Sequence, residues 1–94
     1  MAAVLSDAAV QAALSSLPGW KRNGLAIERT FEFADFKLAM AFVNKIAEAA
    51  ETAGHHPDID IRYNKVKMSL VSHDSGGVTE RDVQMATRIS QIAG

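Results

Sequence analysis

All three histidines of this 94-residue chain, His55, His56 and His73, lie between positions 55 and 73. Imidazole is the side chain whose unperturbed pKa, about 6.5, lets it give or accept a proton near neutral pH. An adjacent pair and a third ring from the next strand could supply both an acid and a base to one small substrate. Glu51 precedes them on the last turn of a helix, where it could orient a histidine and stabilise its charged form. The same set has a second chemistry open to it, because three imidazoles and a carboxylate are possible metal ligands. Adjacent histidines usually diverge in an extended backbone, so His55 and His56 are not expected to share one ion, and no metal site is expected. The plainest reading of His55-His56-Pro57 is a polar corner in which Pro57 sets an extended conformation ahead of a strand.

The elements that must position these side chains can be read from periodicity. Ser6 or Asp7 caps a first helix to about Ser16, with Val10, Ala13, Leu14 and Leu17 on its apolar stripe; Pro18-Gly19 stops it. Trp20-Lys21-Arg22 reads as a short strand, Asn23-Gly24 as a tight turn, and Leu25, Ile27, Phe31 and Phe33 as the apolar face of a second strand that Arg29 interrupts. Asp35 caps a helix of about five turns through Ala53, on which Phe36, Ala39, Met40, Val43, Ile46, Ala47 and Ala50 recur at helical spacing. Gly54 stands where a C-cap glycine belongs. Ile59, Ile61 and Tyr63 alternate with Asp58, Asp60 and Arg62 in a third strand, with Tyr63 expected in the core. A turn at Asn64-Lys65 leads to a fourth strand bearing Val66, Met68 and Leu70, which ends at Ser72-His73. That turn would set His73 nearly opposite His56 at the open end of the hairpin. After Asp74-Ser75-Gly76-Gly77, Thr79 and Asp82 form a capping box, flanked by Val78 and Val83 as a staple, for a last helix that buries Val83, Ala86, Ile89 and Ile92. The order α-β-β-α-β-β-α predicts an α+β, two-layer domain over residues 1–94, with three helices on one face of a four-stranded antiparallel sheet.

Composition narrows the function classes. A chain this short buries roughly 60–65% of the surface its unfolded form exposes, enough for one core and a shallow cleft. A formal net charge of −1, with ten Lys and Arg spread along the chain, argues against nucleic-acid binding. The absence of cysteine rules out disulfide, thiolate and Cys-ligated zinc chemistry. The N-terminus lacks the basic and apolar regions of a secretion signal, and no apolar run approaches the roughly 20 residues of a membrane span, so a cytoplasmic protein is expected.

The spacing Glu51, His55-His56-Pro57, Tyr63, His73, Asp82 resembles the signature of the pterin-4a-carbinolamine dehydratase family at every fixed position. Gly19-Trp20, Phe33-Ala34-Asp35-Phe36, Tyr63-Asn64-Lys65-Val66 and Glu80-Arg81-Asp82 are similar too, so the resemblance covers about residues 17–94. It implies the same fold, and dehydration of 4a-hydroxytetrahydropterin to the quinonoid dihydropterin without metal or organic cofactor. It further implies a link to an aromatic amino-acid hydroxylase, and a homodimer or homotetramer. Carried over by position, His55, His56 and His73 form the acid/base set with Glu51 orienting them; His56 and His73 move protons and His55 mainly holds the substrate. The 55–57 corner and Ser72-His73-Asp74-Ser75 would line the pterin, with Trp20 as an aromatic wall and Asp82 completing the site. The competing class is a binding protein, because some family members are dimerisation partners of a homeodomain transcription factor and dehydratase-like relatives serve as assembly factors.

Overall fold

Ser6, Asp35 and Thr79 each set a side-chain oxygen ahead of an apolar, helically spaced run, and a helix starts after each. The computed structural model describes residues 3–94, so Met1 and Ala2 of the N-terminal stretch lie outside the described residues. Helix α1 (Asp7–Ser15) begins where Ser6 Oγ accepts from the Ala9 N–H at 3.1 Å. Helix α2 (Phe36–Ala53) begins where Asp35 accepts from the Leu38 N–H at 2.8 Å, and it ends at Gly54, whose φ of 65° is left-handed. Helix α3 (Glu80–Ala93) opens on the expected Thr79/Asp82 capping box. No helix among the described residues is long and apolar enough to cross a membrane.

Strands β1 (Lys21–Asn23), β2 (Ala26–Glu32), β3 (Asp58–Arg62) and β4 (Lys65–Leu70) form one antiparallel sheet in the order β1-β2-β4-β3. Register sets Ile27 against Leu70 and Phe31 against Val66, so these residues share the face that packs into the core. Met68, with no exposed surface, completes that face, and the helices close it with Val10, Ala39, Phe42, Ile46, Ala50, Met85, Ala86 and Ile89. Arg29 does stand on the apolar face; its guanidinium lies 4.3 Å above the Phe31 ring, which lets the charge stay at the margin while its stem packs.

Both hairpin turns are displaced by one residue from their sequence-based positions. Asn23 pairs with Ala26, so the loop is Gly24-Leu25, with Gly24 at φ 60° in the first loop position. That is the mirror-image turn in which glycine leads, and its twist suits the flanking strands. Leu25 is consequently exposed. In the second hairpin Arg62 pairs with Lys65, and the loop is Tyr63-Asn64. Asn64 is held there from β2: its side-chain amide donates to the Phe33 carbonyl at 2.8 Å, and its own carbonyl accepts from the Phe33 N–H at 2.9 Å. Tyr63 is therefore not a core residue; it sits at the loop with φ 52° and 66% of its surface exposed.

The apolar stripes differ in detail from the periodic pattern. Phe36 and Ala47 are exposed and Phe42 is buried in α2, while in α3 Val83 and Ile92 pack only partly. Ile59 and Ile61 remain exposed, because β3 is an edge strand.

Candidate active site

Gly54 turns the chain out of α2, and its left-handed backbone delivers His55 and His56 to the start of β3. The His55 N–H still reaches back to the Ala50 carbonyl at 3.2 Å, so the corner is tied to the last helical turn. The two rings then part, as expected for neighbours. His55 turns inward, its side chain only 11% exposed, and its Nε2 lies 2.5 Å from Asp82 Oδ1. His56 turns outward, and its Nε2 lies 2.5 Å from Glu51 Oε2 on the exposed surface. Glu51 thus meets a histidine, and the one it meets is His56.

Asp82 has no exposed surface. A buried carboxylate is costly unless each oxygen is bonded, and here both are. Oδ2 accepts from the Thr79 N–H and from Ser72 Oγ, each at 2.8 Å, while Oδ1 faces His55. Ser72 Oγ is also 2.8 Å from Thr79 Oγ1. With the carboxylate purely an acceptor, His55 donates from Nε2, which leaves Nδ1 as its free nitrogen. Asp82 therefore combines two tasks: one oxygen completes the helix cap and the other fixes the ring and tautomer of His55.

This network also places His73. Ser72 is buried, pairs across a single bridge with Gly77, and is bonded to Asp82; His73 follows it and is exposed, making no hydrogen bond of its own among the described residues. The bond series His55–Asp82–Ser72 clamps together the two segments that carry the histidines. Direct strand opposition does not do so. Asp58 lies opposite Ser69, and the same register sets Val71, two residues short of His73, across from His56. Moving the turn back by one residue shifts the pairing by two, which corrects the expected His56–His73 opposition.

The remaining expected residues differ in their surroundings. Pro57 is half-buried at the corner and Ser75 half-buried in the loop, where its N–H donates to the Ser72 carbonyl at 3.0 Å. Asp74 is exposed and accepts from Arg81 Nη2 at 2.6 Å, and that guanidinium holds its carboxyl below the ordinary value of 3.8. Ser72 and Asp82 are buried with their side-chain oxygens committed, so they position the site and do not present their side chains to a ligand. Trp20 takes no part in these bonds. It is 5% exposed, meets Phe31 edge-on, and donates from Nε1 to Ser90 Oγ at 2.9 Å. Ser90 lies eight residues, about 12 Å, along α3 from Asp82, so the indole anchors the far end of that helix. Thr79 and Arg81 escaped the sequence reading as site residues; the capping pattern around Asp82 was the signal that could have found Thr79. Among the described residues no group of three or more His, Asp or Glu side chains is gathered to hold one ion.

The chain is thus a small two-layer α+β domain with two carboxylate-bonded histidines at one helix–sheet corner. The chain belongs to the pterin 4 alpha carbinolamine dehydratase family, whose model matches residues 3–92. A relative from Koribacter versatilis, provisionally named a pterin-4-alpha-carbinolamine dehydratase, is 60% identical over 92 residues, which span 98% of each chain. The crystal structure of a transcriptional coactivator/pterin dehydratase from Brucella melitensis superposes with a TM-score of 0.93 at 39% identity, covering 97% of this chain and 99% of that one. A pterin dehydratase-like protein identified as a RuBisCO assembly factor in the alpha-carboxysome shares the fold, with a TM-score of 0.66 at 24% identity over 80% of this chain and 87% of that one.

Proposed function

We propose that the protein dehydrates a 4a-hydroxytetrahydropterin to the quinonoid dihydropterin by histidine acid/base catalysis. The observation that carries this reading is the His55–Asp82–Ser72 clamp, which draws the 55–57 corner and the 72–75 loop to one place. The pterin lies between those segments. One imidazolium protonates the C4a hydroxyl, the C–O bond breaks, and its electron pair leaves with water. The lone pair of the neighbouring ring nitrogen forms the new C=N bond, and the proton on that nitrogen passes to a neutral imidazole. His56, steadied by Glu51, and the unencumbered His73 exchange these protons, while His55, locked by Asp82, holds the ring through Nδ1. Each proton transfer accounts for roughly 10²–10⁴-fold in rate. The reaction that supplies such a substrate is hydroxylation of an aromatic amino acid by a pterin-dependent enzyme.

The test is direct: freshly generated 4a-hydroxytetrahydropterin is mixed with purified protein and the ultraviolet absorbance followed. Acceleration over the spontaneous reaction is expected, and its absence refutes the enzyme. The protein also self-associates through β3, an edge strand on which Ile59 and Ile61 are exposed. Sedimentation showing only monomer at micromolar concentration would overturn that assembly.

A further inference from the structure

A groove of about 570 Å³ lies between α2 and α3 and has His55 in its lining. Its volume falls among small-molecule pockets, about 300–1,000 Å³, yet none of the proton transfers above uses its remaining length. Lys45 and Glu48 line it from α2, and Arg81, Met85 and Arg88 from α3. Lys45 and Arg88 are exposed and form no ion pair among the described residues. Arg81 is only partly committed. Its Nη2 donates to Asp74, whereas its Nε is buried without an acceptor. Three cations face one carboxylate in a cleft between two helices, an arrangement that concentrates positive potential.

We propose that this groove receives an anionic substituent of the pterin, an extended tail ending in carboxylate or phosphate; the inference rests on the pterin reading and names the class of substrate within it. Arg81 sits beside Asp82 at the start of α3, and Arg88 is seven residues, about 10 Å, farther along the helix. A short uncharged side chain stays at the corner. A longer tail runs over Met85 and ends between Lys45 and Arg88, where guanidinium and ammonium donors meet its oxygens.

The experiment measures, by calorimetry at low salt, binding of three non-reactive oxidised pterins. One has a short uncharged side chain, one a phosphate-terminated tail, and one a glutamate-terminated tail. At least one tailed pterin should bind about tenfold tighter than the uncharged one, and the arm that does so identifies the anion. The preference, read as a ratio of affinities, should fall close to unity in the folded K45E/R88E double variant and in 0.5 M salt. Equal affinities in the wild-type protein, or a preference untouched by the charge reversal, overturns the inference while leaving the dehydratase intact. Failure of every pterin to bind, together with no acceleration of dehydration, instead removes the pterin reading and this inference with it.

Discussion

Replacing Asp82 with asparagine probes how one buried carboxylate serves both helix and catalyst. The amide is nearly isosteric, but it offers one acceptor and one donor where the carboxylate offered two acceptors. The Thr79 N–H can only donate, so the asparagine oxygen must stay on the Thr79 and Ser72 side. Its NH₂ group then faces His55 Nε2, which has to become an acceptor. The proton of neutral His55 consequently moves to Nδ1, the nitrogen meant to meet the substrate. Charge-assisted bonds to Thr79, Ser72 and His55 are replaced by neutral ones, a loss of about 2 kcal/mol. For a chain of this size that lowers Tm by roughly 10 °C, leaving a folded protein at 25 °C. Because His55 holds the ring, the mismatch removes a substrate hydrogen bond, and turnover at subsaturating substrate should fall by about tenfold. Nitrogen-15 NMR of the imidazoles reads the tautomer while absorbance kinetics read the rate. A folded D82N protein that keeps the His55 proton on Nε2, or turns over within threefold of the parent, refutes the reasoning.

Three further outcomes are expected. His73→Ala removes an exposed ring with no hydrogen bond, so stability should change by less than about 0.5 kcal/mol while turnover drops by about 10²-fold; a near-normal rate would exclude His73 from proton transfer. Gly54→Ala meets no atom within 4 Å but forces a left-handed φ of 65° on an L-residue, costing about 1 kcal/mol, which denaturant titration would measure as a lower midpoint at unchanged slope. The hydrogen bond from Arg81 holds the Asp74 carboxyl below 3.8 when folded. Its folded value being the lower one, this contact contributes above 3.8 and is lost as pH falls through the folded value. Arg81→Gln should raise the Asp74 titration seen by carbon-13 NMR, and an unmoved titration would contradict the pairing.

Helix starts were legible in the sequence because a cap is a local event: Ser6, Asp35 and Thr79 act within three residues of themselves, and Gly54 announces its own left-handed stop. The signature at Glu51, His55, His56 and His73 was equally plain. What sequence could not resolve depends on partners far along the chain. Asn23-Gly24 signals a turn but not which loop position the glycine takes, and Asn64 settles in its place through Phe33, 31 residues earlier. For Trp20, the resemblance implies an aromatic wall, and nothing local announces the bond its indole N–H makes to Ser90, 70 residues away. Likewise the alternation of Ile59 and Ile61 predicts a covered face, whereas strand order makes β3 an edge. For Asp82, capping pattern revealed one oxygen's task; the other's emerges only when the end of α2 is brought against the start of α3.

That shared carboxylate ties local breathing to chemistry. If the first turn of α3 frays, Thr79 loses its cap and His55 its alignment in a single event, long before the sheet separates. Warming should therefore silence the protein ahead of its melting transition, and a tighter α3 start would extend the working temperature range without any change to the histidines themselves.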